Sequence, residues 1–281
     1  MDSAFAVVLA YLKGSLLELN IIELVLTVGS LLFLARQTLL LRKTYQYNCD
    51  WQEKEKAIVL AKYYKDEILP GVNYISSVFK ETGIMSCLGG IHPDNIVSFN
   101  QSELFRLTNR DIKEQIQSRW RDPQNLRVLL NERDLYQQIS KKPLRTLNPN
   151  LIAMCYAEFR GEKDEDGNAV VVPDEIKSKL LSDLWVEFYI IVSATLNSLE
   201  LFSMNFITGV ADGDVVFQSL HQTFLVLVQI LYYDIAIQNT NEKDTYYTNV
   251  IELYKLWLDK DKKNEQTIHA AMPKAGGRVR K

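Results

Sequence analysis

Twenty-one consecutive residues near the amino terminus, Ile21–Leu41 (IIELVLTVGSLLFLARQTLLL), constrain this chain more than any other stretch. A helix rises about 1.5 Å per residue, so they would reach roughly 31 Å. The hydrocarbon core of a bilayer is roughly 30 Å thick. The unbroken apolar part is Leu24–Ala35. Glu23 falls near one end, at headgroup depth, and the long stem of Arg36 carries its charge toward the boundary. The segment reads as one transmembrane helix; the competing reading is the buried helix of a dissolved globule. No Pro separates it from RKTYQYNCDWQEKEKAIVLAKYYKDEIL, so the helix is expected to run on as a stalk that ends at Leu69-Pro70-Gly71.

Flanking charge sets the orientation. Arg36, Arg42 and Lys43 cluster on the C-terminal side, whereas only Lys13 and the amino terminus precede the span. The positive-inside rule therefore puts everything from Arg42 onward in the cytoplasm and the N-terminus outside the inner membrane. Tyr45, Tyr47 and Trp51 complete an interfacial set, because amphipathic rings settle at headgroup level. Asp2 stands where a secretory signal would carry basic residues, so the anchor is expected to stay uncleaved. Ala4–Leu12 is apolar but too short to span. It reads as a segment in the outer leaflet, as one packed beside another subunit's span, or as an unstructured terminus.

Beyond the anchor, seven prolines and twelve glycines in 281 residues favour an all-α body. The expected organisation is an anchor at 1–41, a cytosolic helical bundle at 42–268 and a basic disordered tail at 269–281. A net charge of −3 argues against bulk nucleic-acid binding. Cys49, Cys87 and Cys155 are too scattered for a CxxC metal pair and odd in number, which suits a reducing compartment. Along the stalk, Tyr47, Trp51, Ile58, Ala61, Lys65 and Ile68 fall on one stripe. This stripe reads as intramolecular packing or as self-association of stalks.

Val72–Thr82 reads as a short helix closed by Gly83, and Ser98–Ser140 as two helical pieces divided at Asp122-Pro123. Residues 103–145 hold ten Lys or Arg against six Asp or Glu, a local charge of +4. Arg106, Arg110, Arg119, Arg121, Arg127 and Arg133 recur there at helical spacings. They form the candidate ligand- or lipid-facing surface, for anionic headgroups, a nucleotide or RNA. The plainer reading is a solvated face laced with i,i+4 pairs. Residues 151–172 read as a small β-hairpin or loop insertion turning at Asp166-Gly167.

Pro173-Asp174-Glu175 opens a strongly periodic helix, with Leu181, Leu184, Trp185, Phe188, Ile191, Val192, Thr195, Leu199, Phe202 and Phe206 on the apolar side. Glu200 in this company reads as a buried acid or as a partner of backbone groups. Asp212 or Asp214 can cap the next helix, Val215–Gln238, whose Gln229, His221 and Asp234 argue for a bundle core rather than a second span. Tyr246–Leu258 is the last amphipathic helix.

Three stretches, LLLRKTYQYNCDWQEKEKAIVLAKYY, LNSLELFSMNFITGVADGDVVFQSL and NVIELYKLWLDK, together resemble an uncharacterised bacterial family of single-span, membrane-anchored helical proteins. The resemblance implies an architecture and a setting in stress-response or anti-phage defence, and it transfers no catalytic residue. No phosphate loop, dinucleotide fingerprint or nucleophile elbow occurs. The three His lack the Arg spacing or carboxylate clusters of helical ribonucleases and metal phosphohydrolases. The expected function is that of an oligomerising sensor or effector module at the membrane, without catalytic residues, cofactor or metal. Its expected partners are the bilayer, further copies of itself, and a protein or nucleotide ligand. The alternative is a tethered ribonuclease or phosphohydrolase.

Overall fold

The computed structural model describes residues 2–88, 93–98, 110–142, 144, 147–239 and 245–271, the side chains of 2–25, 27, 95, 98 and 268–271 excepted. It is all-helical: among the described residues there is no strand, only one antiparallel bridge between Lys163 and Ala169. The chain divides into two compact units, Met1–Glu53 and Lys54–Lys281.

Helix α1 covers Asp2–Tyr63. Arg106, His92 and the Gly89-Gly90 pair lie outside the described residues, and so does 272–281 of the basic tail.

In the second unit, a buried stripe runs from Ala57 and Leu60 at the end of α1 to Tyr64 and Ile68 just beyond it. This corrects the stripe expected from sequence: Trp51, Tyr47 and Ile58 are exposed. The helix also does not stop at Pro70. A π-helical turn, Tyr64–Ile68, leads directly into α2, Leu69–Glu81, with Pro in the first turn. Proline is tolerated there because its missing N–H would have no partner in a new helix's first turn. Gly71 follows, where a Cβ would collide with Thr195 Oγ1, so only glycine allows this close approach of helices. At the far end Gly83 takes φ 74°, as expected of a helix stop.

Short helices α3 (Ile84–Leu88) and α4 (Pro93–Ser98) precede α5 (Arg110–Arg121) and α6 (Asn125–Ser140). The expected strand over 151–160 is instead helix α7, Pro149–Arg160. Capping decides the matter. Asn148 Oδ1 accepts from the amides of Asn150 at 3.0 Å and Leu151 at 3.4 Å, Pro149 presets the first turn, and Gly161 closes the helix at φ 67°. The acidic segment that follows is a loop rather than a hairpin. Asp164 Oδ1 gathers the amides of Asp166 at 3.1 Å and Asn168 at 2.8 Å, which folds the chain back within one turn.

Helices α8 (Asp174–Ile207), α9 (Gly213–Gln238) and α10 (Thr248–Ala271) complete the bundle. Two of them, α8 and α9, are long and apolar enough by composition to cross a membrane. Both also carry the heart of the core: Phe188, Leu196, Leu199, Phe202, Phe224, Val228, Leu231 and Ile235 are fully buried. Phe224 packs edge-on against Trp257 of α10, ring centres 4.9 Å apart, and Tyr64 packs against Phe202 at 5.1 Å. Asp212 caps α9 through the Asp214 amide at 2.9 Å. Glu200 resolves as a cap rather than an acid. Its carboxylate accepts from Asn249 N at 3.2 Å, Asn249 Nδ2 at 2.7 Å and Val250 N at 3.1 Å, satisfying the start of α10 from the neighbouring helix.

Candidate functional site

Of the six arginines grouped by sequence, the five that are described, Arg110, Arg119, Arg121, Arg127 and Arg133, do not share one surface. Arg133 is 7 % exposed and faces inward, its Nε donating to Glu187 Oε1 at 2.7 Å and its Nη2 to Oε2 at 3.5 Å. It is removed from the basic surface because α6 turns it toward the carboxylate that α8 buries beside Phe188. Arg110 is exposed and pairs along its own helix with Glu114 at 2.7 Å. Such a pair stabilises a helix turn by a few tenths of a kcal/mol and recruits nothing. Arg127 is exposed on α6, and Arg119 and Arg121 are exposed at the end of α5.

That end of α5 borders a cleft of about 490 Å3. Helix α5 contributes Gln117, Trp120 and Arg121; α8 contributes Ser178, Leu181, Ser182 and Trp185. Both sets follow helical spacing, i, i+3, i+4 on one side and i, i+3, i+4, i+7 on the other, so each is one continuous face. The floor is apolar, since Leu181 and Trp185 are buried; the rim is polar, since Gln117, Arg121, Ser178 and Ser182 are exposed.

The aromatic wall is held in place. Trp185 Nε1 donates to the Trp120 carbonyl at 2.6 Å, pinning one indole to the end of the facing helix. The two indole rings lie 5.3 Å apart, and Trp120 meets Tyr189 edge-on at 4.9 Å. The same contacts use up the helix end. The Trp120 carbonyl takes Trp185, and the Arg119 carbonyl takes Asn125 Nδ2. Carbonyls at a helix C-terminus usually draw nearby basic side chains. Here two of them already have donors, and neither Arg119 nor Arg121 makes an ion pair among the described residues. Arg119 lies over Gly83 and, with Arg121, Asp122 and Cys87, edges a shallower depression on the other side of the helix end.

Two polar groups that the sequence places in the core of α9 have surroundings that it does not reveal. Asp234 is 5 % exposed, one of its carboxylate oxygens has no hydrogen-bond partner among the described residues, and burial pushes its pKa up to about 7. His221 stacks on Phe217, its ring nitrogens facing the Phe217 carbonyl at 2.7 Å and Asp261 at 3.2 Å, which ties α9 to α10. The Trp120–Trp185 pair was equally hidden, because its members lie 65 residues apart. Only the Arg-Trp-Arg run at 119–121 marked half of it.

The interfacial set lies as one series on α1: Arg36, Arg42, Lys43, Tyr45, Tyr47 and Trp51 are all exposed. Before Arg36, Leu26, Val28, Leu31, Leu32, Phe33 and Leu34 are exposed as well, and so are Leu39, Leu40 and Leu41 between Arg36 and Arg42. Comparison with protein-family models, curated proteins and solved structures finds no match to this chain.

Proposed function

We propose that this protein is a membrane-tethered helical module. In this reading residues 21–41 cross the inner membrane once with the N-terminus outside, and the helical bundle at 42–268 works in the cytoplasm as a sensor or effector. One observation carries it. Leu31, Leu32, Phe33 and Leu34 are consecutive, apolar and 61, 67, 61 and 56 % exposed. Successive residues point about 100° apart, so four of them sweep the whole circumference of the helix. A docking protein or a second helix covers one stripe; only a surrounding apolar solvent satisfies all sides.

The hydroxyls of the segment agree. Ser30 Oγ donates to the Leu26 carbonyl at 2.7 Å and Thr38 Oγ1 to the Leu34 carbonyl at 2.8 Å, so neither needs water. Arg42 and Lys43 then meet the cytoplasmic headgroups, with Tyr45, Tyr47 and Trp51 beside them. Association of several copies through the anchor or stalk, and a role in stress response or phage defence, belong to the same proposal and rest on the family likeness. The test is flotation of full-length protein with membranes after alkaline carbonate washing. The native chain should float, and a chain with Leu32 and Phe33 both changed to Asp should not. Native protein left in the supernatant would refute the tether.

A further inference from the structure

We propose that the cleft between α5 and α8 binds a small planar aromatic anion of the nucleoside monophosphate class. Its ring would lie against the Trp120–Trp185 wall and its phosphate would be held by Arg121. The proposal does not depend on the membrane reading, because the cleft is built wholly from α5 and α8.

Four features select this class. The volume, about 490 Å3, falls within the roughly 300–1,000 Å3 typical of small-molecule sites. The floor offers two indoles whose positions are fixed by a hydrogen bond and by edge contacts, so little ordering is needed when a flat ring arrives. The Arg121 guanidinium is exposed at the rim, makes no ion pair among the described residues, and is planar and forked, as a phosphate requires. Ser178, Ser182 and Gln117 ring the opening with donors and acceptors suited to a ribose or a base edge. Among the described residues Arg121 is the one cation that lines the cleft, which suits one phosphate, whereas a strand of nucleic acid would need a track of cations.

The experiment uses full-length protein in detergent and follows tryptophan fluorescence and calorimetric heat as AMP, GMP, CMP or UMP is added. At least one should bind saturably and quench the indoles. Inorganic phosphate alone and the matching nucleoside alone should each bind roughly tenfold or more weakly, since each keeps half of the contacts. Arg121→Gln should weaken the nucleotide roughly tenfold or more, whereas Arg127→Gln, away from the cleft, should leave it unchanged. Ser182→Phe should close the cleft and abolish binding; Ser178→Phe repeats the test on the neighbouring turn, and both positions are exposed enough to accept the ring. Absence of saturable binding at millimolar nucleotide by protein with a native circular dichroism spectrum would overturn the proposal. So would undiminished binding in both phenylalanine variants, phosphate binding as tightly as nucleotide, or an oligonucleotide preferred over the monomer and weakened equally by Arg121→Gln and Arg127→Gln.

Discussion

Replacing Arg133 with Met should unfold this protein far more readily than its place in a run of surface-like arginines implies. The side chains of Arg133 and Glu187 are 8 % and 3 % exposed, and the two are joined at 2.7 Å between α6 and α8. Removing the guanidinium leaves the Glu187 carboxylate buried without its ion-pair partner. Breaking a buried pair from one side costs about 3–5 kcal/mol. In a unit of this size each kcal/mol moves the melting temperature by about 2–4 °C, so the loss should be on the order of 10 °C. Glu187→Met should cost less, because the arginine still has Asp134 at 3.9 Å. The double variant Arg133→Met/Glu187→Met should recover most of the loss, since an apolar pair of similar volume is often as stable as the ions it replaces. Thermal unfolding of the four proteins closes the cycle. If Arg133→Met loses less than about 1 kcal/mol, or the two single losses simply add, the pair is not the buried unit described here.

Two further perturbations test the interior. Asp234 has its pKa raised by burial from 3.8 to about 7, so the folded state holds its proton where the unfolded chain has released it. Its contribution to stability is complete below pH 4 and is lost as pH rises through 7. The difference in stability between native protein and Asp234→Asn should therefore slope downward with pH across that window and be flat above it, as read from urea midpoints; a difference independent of pH from 4 to 8 would exclude the assignment. At the α2–α8 crossing, Gly71→Ala should destabilise by about 1–3 kcal/mol through collision with Thr195 Oγ1. Thr195→Ala on top of it should restore most of that, and failure of the rescue would mean that the glycine is needed for backbone reasons instead.

Where sequence and structure agree, the signal was local. Each residue that the apolar period of α8 named from Leu181 to Phe202 is buried, because a helix repeats its core face every turn regardless of what covers it, although the period passed over Leu196 and Glu187. The caps at Gly83 and Asp212 were equally legible, each set by one residue type at one backbone position. Where they differ, one local signal outranked another, or the deciding partner lay far away in sequence. Asn148-Pro149 and Gly161 set residues 149–160 as a helix against a weak alternation that suggested a strand. Arg133 looked like its exposed neighbours until Glu187, 54 residues later, claimed it.

The same logic separates the two functional readings. The apolar run of α1 is legible from composition alone, because it depends on no residue elsewhere in the chain. A cleft is a relation between two helix faces, and neither Gln117-Trp120-Arg121 nor Ser178-Leu181-Ser182-Trp185 is remarkable by itself: the first reads as a basic helix end, the second as half a core stripe. What turns them into a site is that Trp185 donates to the last turn of α5, which fixes two indoles side by side and occupies a carbonyl that would otherwise attract a basic side chain. Arg121 is thereby left with its charge directed to whatever enters from solvent. The chemistry of the cleft thus follows from a hydrogen bond that holds the fold together, which is why it could be found only after the helices had been placed.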